Sequence, residues 1–376
     1  MKSKKLMFLS AVGVSALLLS SCAAPTNDKS DEPPTEGGVA AAKATSAADF
    51  EDLDGLIAAA QKEGELNVIA LPPDWANYGE VIEAFSDTYD IRVNSAQPDG
   101  ASQDEINAAT QLKGTDRAPD VFDLGQSVAL ANTEMFAPYQ VETWDDIPDE
   151  FKDPDGAWVN DYGGFMSIGY DSSKVPDVTS VDDLLGGEFK GKVALNGDPT
   201  QAGAAFSGVV MASVVNGGSA DDIAPGVEYF GKLKDAGNFL PVDPTPATVE
   251  SGQTPVVIDW DYLNASIAKN LPSWKVMVPE DAAIAGYYFQ AINVDAPHPA
   301  AARLWQEFLY SDEGQNLWLK GGARPVRAEA MAEAGTIDQA LYDALPDVAG
   351  TAVIPSNEQT ETAGSYLAEN WAKVIG

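Results

Sequence analysis

The chain has 376 residues, 45% hydrophobic and 21% charged, enough apolar material for two or three cored domains at roughly 100–200 residues each. Asp and Glu number 58 against 22 Lys and Arg, a net charge of −36. That excludes a phosphate-neutralising nucleic-acid binder and adhesion to anionic headgroups through basic patches. One Cys and one His exclude a disulfide framework, a Cys-rich zinc site and an HExxH metalloprotease.

Residues 1–21 open with Lys2, Lys4 and Lys5 and continue as the apolar run Leu6–Leu19. The run is shorter than the roughly 20 residues that cross a bilayer, so the segment reads as a signal peptide. Leu19-Ser20-Ser21-Cys22 resembles a bacterial lipobox, with the chain's single Cys at the lipidation position. Residues 22–48, rich in Pro, Gly, Ala, Ser and Thr without an apolar period, read as a flexible tether. No later run of 18 apolar residues follows, which argues against a helical channel or permease.

From Phe50 onward strands and helices alternate. Leu53, Leu56, Ile57 and Ala60 mark a helix stopped by Gly64, and Leu66–Ala70 is a strand. A helix carrying Val81, Ile82, Phe85 and Tyr89 precedes the strand Ile91–Val93. A helix over Gln103–Lys113 precedes the strand Pro119–Leu124. A second series repeats the logic: strand Lys192–Leu195, helix Ala202–Asn216, helix Val227–Asp235, and the apolar strand Val256–Ile258, expected to be buried on both faces. Pro299 opens a helix through Tyr310. The alternation predicts parallel βαβ units in two α/β lobes.

In open α/β sheets, ligands sit beyond the carboxyl ends of strands. That selects Leu71–Tyr78, where Trp75 and Tyr78 can stack on a flat or cationic solute and Asp74 can cap the next helix. It selects Gly125-Gln126-Ser127, where Ser127 and free N–H groups suit an anion or a hydroxyl, or simply cap the helix. It also selects Asn196–Gln201 with Asp198, and Asp259-Trp260-Asp261-Tyr262, whose carboxylates at a buried strand end call for a cation. On a continuing strand Asp259 and Asp261 share a side; a helix start alters that. Tyr162 lies near Gly163-Gly164 and Tyr288 follows Tyr287. Lone His298, between two prolines, reads as an exposed turn residue. Arg324 is the arginine best placed for an anionic solute. No GxSxG elbow, P-loop or GxGxxG stands out; a secreted hydrolase working through paired carboxylates is the distant alternative.

Gly64–Val68, Pro119–Asp123, Glu188–Ala194, Ala300–Trp305 and Ser311–Gln315 occur in an order that resembles the extracellular solute-binding proteins of ABC importers. The similarity lies with the branch that includes polyamine, thiamine, ferric-iron and phosphonate binders. The resemblance implies an α/β, two-lobed type II periplasmic-binding-protein fold, each lobe a mixed sheet flanked by helices, with a hinge between. It divides the chain into residues 49–164 plus 262–310 and residues 165–261 plus 311–376, with crossings near 164–170, 259–262 and 309–312. It implies a monomeric, extracytoplasmic receptor anchored by lipid on Cys22, without catalytic residues, metal or cofactor, that hands its solute to an ABC permease and its ATPase subunits. Within that frame Trp75, Tyr78, Ser127, Tyr162, Asp198, Gln201, Trp260, Asp261, Tyr262 and Tyr288 are the expected ligand residues. An organic cation such as a polyamine is the leading solute, although Gln201 stands where those binders carry a second acid. A phosphonate or carboxylate, or ferric iron held by tyrosines, is the alternative.

Overall fold

The computed structural model describes residues 39–345, 348 and 351–376; the signal segment, Cys22 and most of the tether lie outside them. Helix α1 (Leu53–Glu63) starts on Asp52, whose side chain accepts the Gly55 N–H, and stops at Gly64 in the left-handed conformation. Strand β1 (Glu65–Ile69) follows, then α2 (Tyr78–Tyr89), β2 (Arg92–Ala96), α3 (Ser102–Leu112), β3 (Val121–Leu124), the short α4 (Gln126–Leu130) and β4 (Phe136–Ala137). β1 and β2 pair in parallel as a ribbon of their own. Its neighbour β3 meets β1 through Asp120, which accepts the Asn67 N–H at 2.7 Å.

Strand β5 (Val159–Asp171) runs for 13 residues and joins the two halves. Its first part pairs antiparallel with β9 (Ala285–Asn293), which in turn pairs with β3. Its second part pairs with β7 (Val256–Trp260) and β8 (Trp274–Met277). β6 (Val193–Leu195) lies parallel to β7 at the far edge. The continuous order is β3-β9-β5-β7-β6. Along this order β6 and β7 pair in parallel, and the β3–β9, β9–β5 and β5–β7 pairs are antiparallel.

Helices α5 (Gly203–Val215), α6 (Ala224–Ala236) and α7 (Pro246–Glu250) lie between β6 and β7 in the chain. α5 is apolar nearly all round and buried between α6 and the sheet. Residues 262–277, expected in the first lobe, stay with the second as α8 (Asp261–Asn270) and β8, packed on β5 and β7. The chain returns with β9.

α9 (Pro299–Leu309) then packs on α1 with Leu304, Trp305 and Phe308 buried. α10 (Asp312–Gly321), β10 (Arg324–Pro325), α11 (Ala328–Ala334) and α12 (Gln339–Tyr342) follow. The last helix, α13 (Asn357–Ile375), touches both α4 and α6.

Two expectations change here. Residues 39–48 are packed rather than a free leash: Ala41, Ala44 and Ala47 are buried, and the buried Arg303 guanidinium donates to the carbonyls of Ala44 and Ala42 at 2.7 and 3.1 Å. Small side chains let this backbone approach α9 closely enough for those bonds. His298 is not a free turn residue either. Its Nδ1 lies 2.9 Å from Asp120 Oδ2, its N–H donates to Asp120 Oδ1 at 2.7 Å, and its side chain is 15% exposed.

Candidate functional site

The cleft lies where the carboxyl ends of β3 and β7 face one another across β9. Its cavity has a volume of about 410 Å³ and takes walls from both halves. Ala70–Trp75, Pro98–Glu105 and Asp123 come from the first; Asn196–Gly197, Ala202–Ala204, Asp243–Val249, Val257, Asp259 and the flank of α8 come from the second; Tyr288 stands between them. A hollow of about 530 Å³ beside His298 is lined by the first half alone, so closure of two lobes does not act on it.

Six carboxylates line the cleft: Asp74, Asp99, Glu105, Asp123, Asp243 and Asp259. Among the described residues no Lys, Arg or His does. Asp74, Asp99 and Asp243 sit exposed at the rim, whereas Glu105, Asp123 and Asp259 are buried. Burial raises all three acids well above the ordinary carboxylate range, Asp259 to about 7.

Beneath the cavity is a floor of aromatic rings. Trp75 Nε1 donates to Tyr162 Oη at 2.8 Å, and that hydroxyl donates to Asp123 Oδ2 at 2.9 Å. Tyr78 Oη donates to the same oxygen at 2.8 Å and accepts from Gln290 Nε2 at 2.9 Å. Trp260 Nε1 donates to Tyr288 Oη at 3.3 Å. Tyr162 and Tyr288 stack with centroids 5.5 Å apart, and Trp260 stacks on Tyr262 at 6.4 Å. Every ring is thus held by a second one, which fixes where Asp123 and Tyr288 point.

The expected residues divide into three groups. Trp75 and Tyr288 line the cavity. Tyr78, Tyr162, Trp260 and Tyr262 form the buried floor behind it. Ser127, Asp198, Gln201 and Asp261 do not line it. Ser127 packs toward Gly364 of α13. Asp198 is exposed and accepts from Thr200 N and Oγ1 at 2.8 and 2.7 Å, closing its own turn, while Asn196 of that turn faces the cavity. Gln201 is exposed.

Asp261 is held by the hinge. The helix begins at this residue, so its side chain leaves the strand's side-chain alternation. It accepts the N–H groups of Phe165 and Tyr262, both at 3.0 Å, and pairs with Arg324 at 2.9 Å. Arg324 lies over the Phe165 ring, 4.7 Å from its centroid. Asp259, two residues earlier and still on the strand, faces the cavity with Asn196 Nδ2 on one oxygen and the Trp260 N–H on the other. Reading the sequence did not single out Asp123 or Glu105, and it named Asp259 as a candidate carboxylate without placing it among the expected ligand residues. Asp123 and Asp259 stand near strand carboxyl ends, a signal that selects them; Glu105 carries none, being one acid of a helix face.

Residues 119–348 match the model of the bacterial extracellular solute-binding protein family. The chain belongs to that family. No curated protein matches it. Among solved structures, the iron-bound HitA of Pseudomonas aeruginosa is 18% identical with a TM-score of 0.58, covering 82% of this chain and 99% of its own. The agropinic acid complex of AgtB from A. tumefaciens is 13% identical with a TM-score of 0.66, over 83% and 98%. The spermidine/putrescine transporter substrate-binding protein PotD of Streptococcus pneumoniae is 16% identical with a TM-score of 0.54, over 83% and 99%. These likenesses carry the two-lobed α/β fold. The family is one of extracellular solute-binding proteins, not of enzymes.

Proposed function

We propose that this solute-binding protein captures a small organic cation between its two lobes and delivers it to a membrane permease driven by a separate ATPase. The observation that carries the reading is the lining of the cleft: buried carboxylates from both halves, Asp123 on β3 and Asp259 on β7, with aromatic Trp75 and Tyr288 beside them and, among the described residues, no basic side chain. A cation there relieves the burial cost of both acids, and it does so fully only when the lobes are together. Closure follows because the ligand's affinity for the closed form exceeds that for the open one. An anionic solute loses its best donor, since Arg324 is engaged by Asp261. Lipid on Cys22 would keep the receptor near its permease; that residue lies outside the described part.

A thermal-shift screen with aliphatic diamines, thiamine, ferric ion, aminophosphonates and sugars tests this. A ligand that binds only the native state raises the melting temperature, by about 2.7 kcal/mol of stability at 100 times its Kd. Diamines or other organic cations are expected to shift it; a shift with anions alone would overturn the reading.

A further inference from the structure

The inference rests on the organic-cation reading of the cleft and narrows the chemistry of the ligand. Asp123 is half satisfied. Its Oδ2 accepts hydroxyls from Tyr78 and Tyr162 at 2.8 and 2.9 Å, while its Oδ1 is buried with no hydrogen-bond partner. A buried carboxylate oxygen without a donor is costly, because it has given up its water and gained no hydrogen bond.

The donors around it are committed elsewhere. Trp75 Nε1 gives to Tyr162, Trp260 Nε1 to Tyr288, and Gln290 Nε2 to Tyr78 and Asp161. Among the described residues, the elements packed against Asp123 present no cation. α2 brings Tyr78; α3 brings Glu105, which accepts the Asp123 N–H at 3.0 Å; β5 brings Asp161 and Tyr162; β9 brings Tyr288 and Gln290. The missing donor comes from whatever occupies the cleft.

We propose that Asp123 Oδ1 seats an N–H of the solute, that the solute is a protonated amine, amidine or guanidine and not a quaternary ammonium, and that its uptake displaces a proton from the Asp123 carboxyl. Before capture the carboxyl keeps that proton into the neutral range, because burial away from water disfavours its charge by more than the Tyr78 and Tyr162 hydroxyls, which donate to Oδ2, favour it. On capture the O–H bond of the carboxyl breaks and the proton leaves to solvent. The ammonium then donates to Oδ1 and supplies the countercharge. A trimethylammonium offers only C–H groups and leaves Oδ1 without a donor.

Calorimetry on the full chain tests this with putrescine and with 1,4-bis(trimethylammonio)butane, from pH 5.5 to 8.5, in two buffers of different ionisation enthalpy. Putrescine is expected to bind roughly 100-fold more tightly than its permethylated counterpart, the value of one or two charge-assisted hydrogen bonds. Below neutrality the buffer dependence is expected to report a proton released from Asp123 and a further one from Asp259 where the solute also meets it, so that affinity rises with pH. Asp123→Asn should bind putrescine more weakly and lower the release by about one proton. Equal affinity for the two probes, or putrescine binding without proton release, would overturn the inference while leaving the cation reading intact. Both readouts on the unsubstituted chain are independent of whether the variant folds. Binding of neither probe overturns the cation reading and the inference with it.

Discussion

Two aspartates a single residue apart, Asp259 and Asp261, have different work. Asp259 ends a strand and faces the cleft; Asp261 opens a helix and is consumed by Arg324 and two backbone N–H groups. Asp259→Asn should weaken a bound amine about 30-fold, the loss of a charged hydrogen-bond partner, and leave the melting temperature of the unliganded protein equal or higher, because a buried acid is removed. Asp261→Asn should leave affinity nearly unchanged and destabilise the fold by roughly 3 kcal/mol, since it breaks the largely buried ion pair with Arg324. Calorimetry and thermal melts on both variants check this crossed pattern. The sequence led to this strand end and favoured Asp261, whereas Asp259 is the carboxylate that lines the cavity, because the switch from strand to helix between them decides which side chain turns inward. Asp198 does not line the cavity, and Thr200 of its own turn donates to it.

At the scale of elements, the two lobes touch where the β3–α4 turn meets the start of α5. A Cβ added to Gly203 would stand 2.8 Å from Gly125 Cα, a separation that closed backbones do not tolerate. Gly203→Ala is therefore expected to hold the lobes slightly apart and weaken the preferred solute about tenfold, with little change in the unliganded melting temperature, as measured by calorimetry and melting curves. The amphipathic helices and the apolar β7 were legible from periodicity. β5 was not, although the crossing near 164–170 falls within it: Asn160, Asp161, Gly163 and Gly164 interrupt its sequence, and its burial on both faces erases the alternation that marks a half-exposed strand. α13 was not read either, although its buried Thr360, Ala363, Leu367 and Trp371 follow a helical spacing, because two of the four are small or polar and leave a weak apolar stripe.

The whole molecule carries its negative charge inward as well as outward. Glu63, Asp259 and Glu307 are each raised by burial to about 7, and Glu105, Asp120 and Asp161 are raised too. Between about pH 4.5 and 7 the folded chain therefore binds more protons than the unfolded one, so stability falls as pH rises through that window. For His298, burial pulls the ring down but the Asp120 carboxylate outweighs it, so the shift is upward and acts in the same direction. The melting temperature is expected to be higher at pH 5.5 than at pH 8, by on the order of 5 °C; scanning calorimetry across this range would refute the account if stability rose toward alkaline pH. The sharpest test of the central claim is a crystal structure with the solute that the thermal-shift screen selects. The account predicts a cationic group within hydrogen-bond reach of Asp123 and Asp259 at once, with Trp75 and Tyr288 against its apolar part. A solute bound through Arg324, or held by one lobe alone, would contradict it.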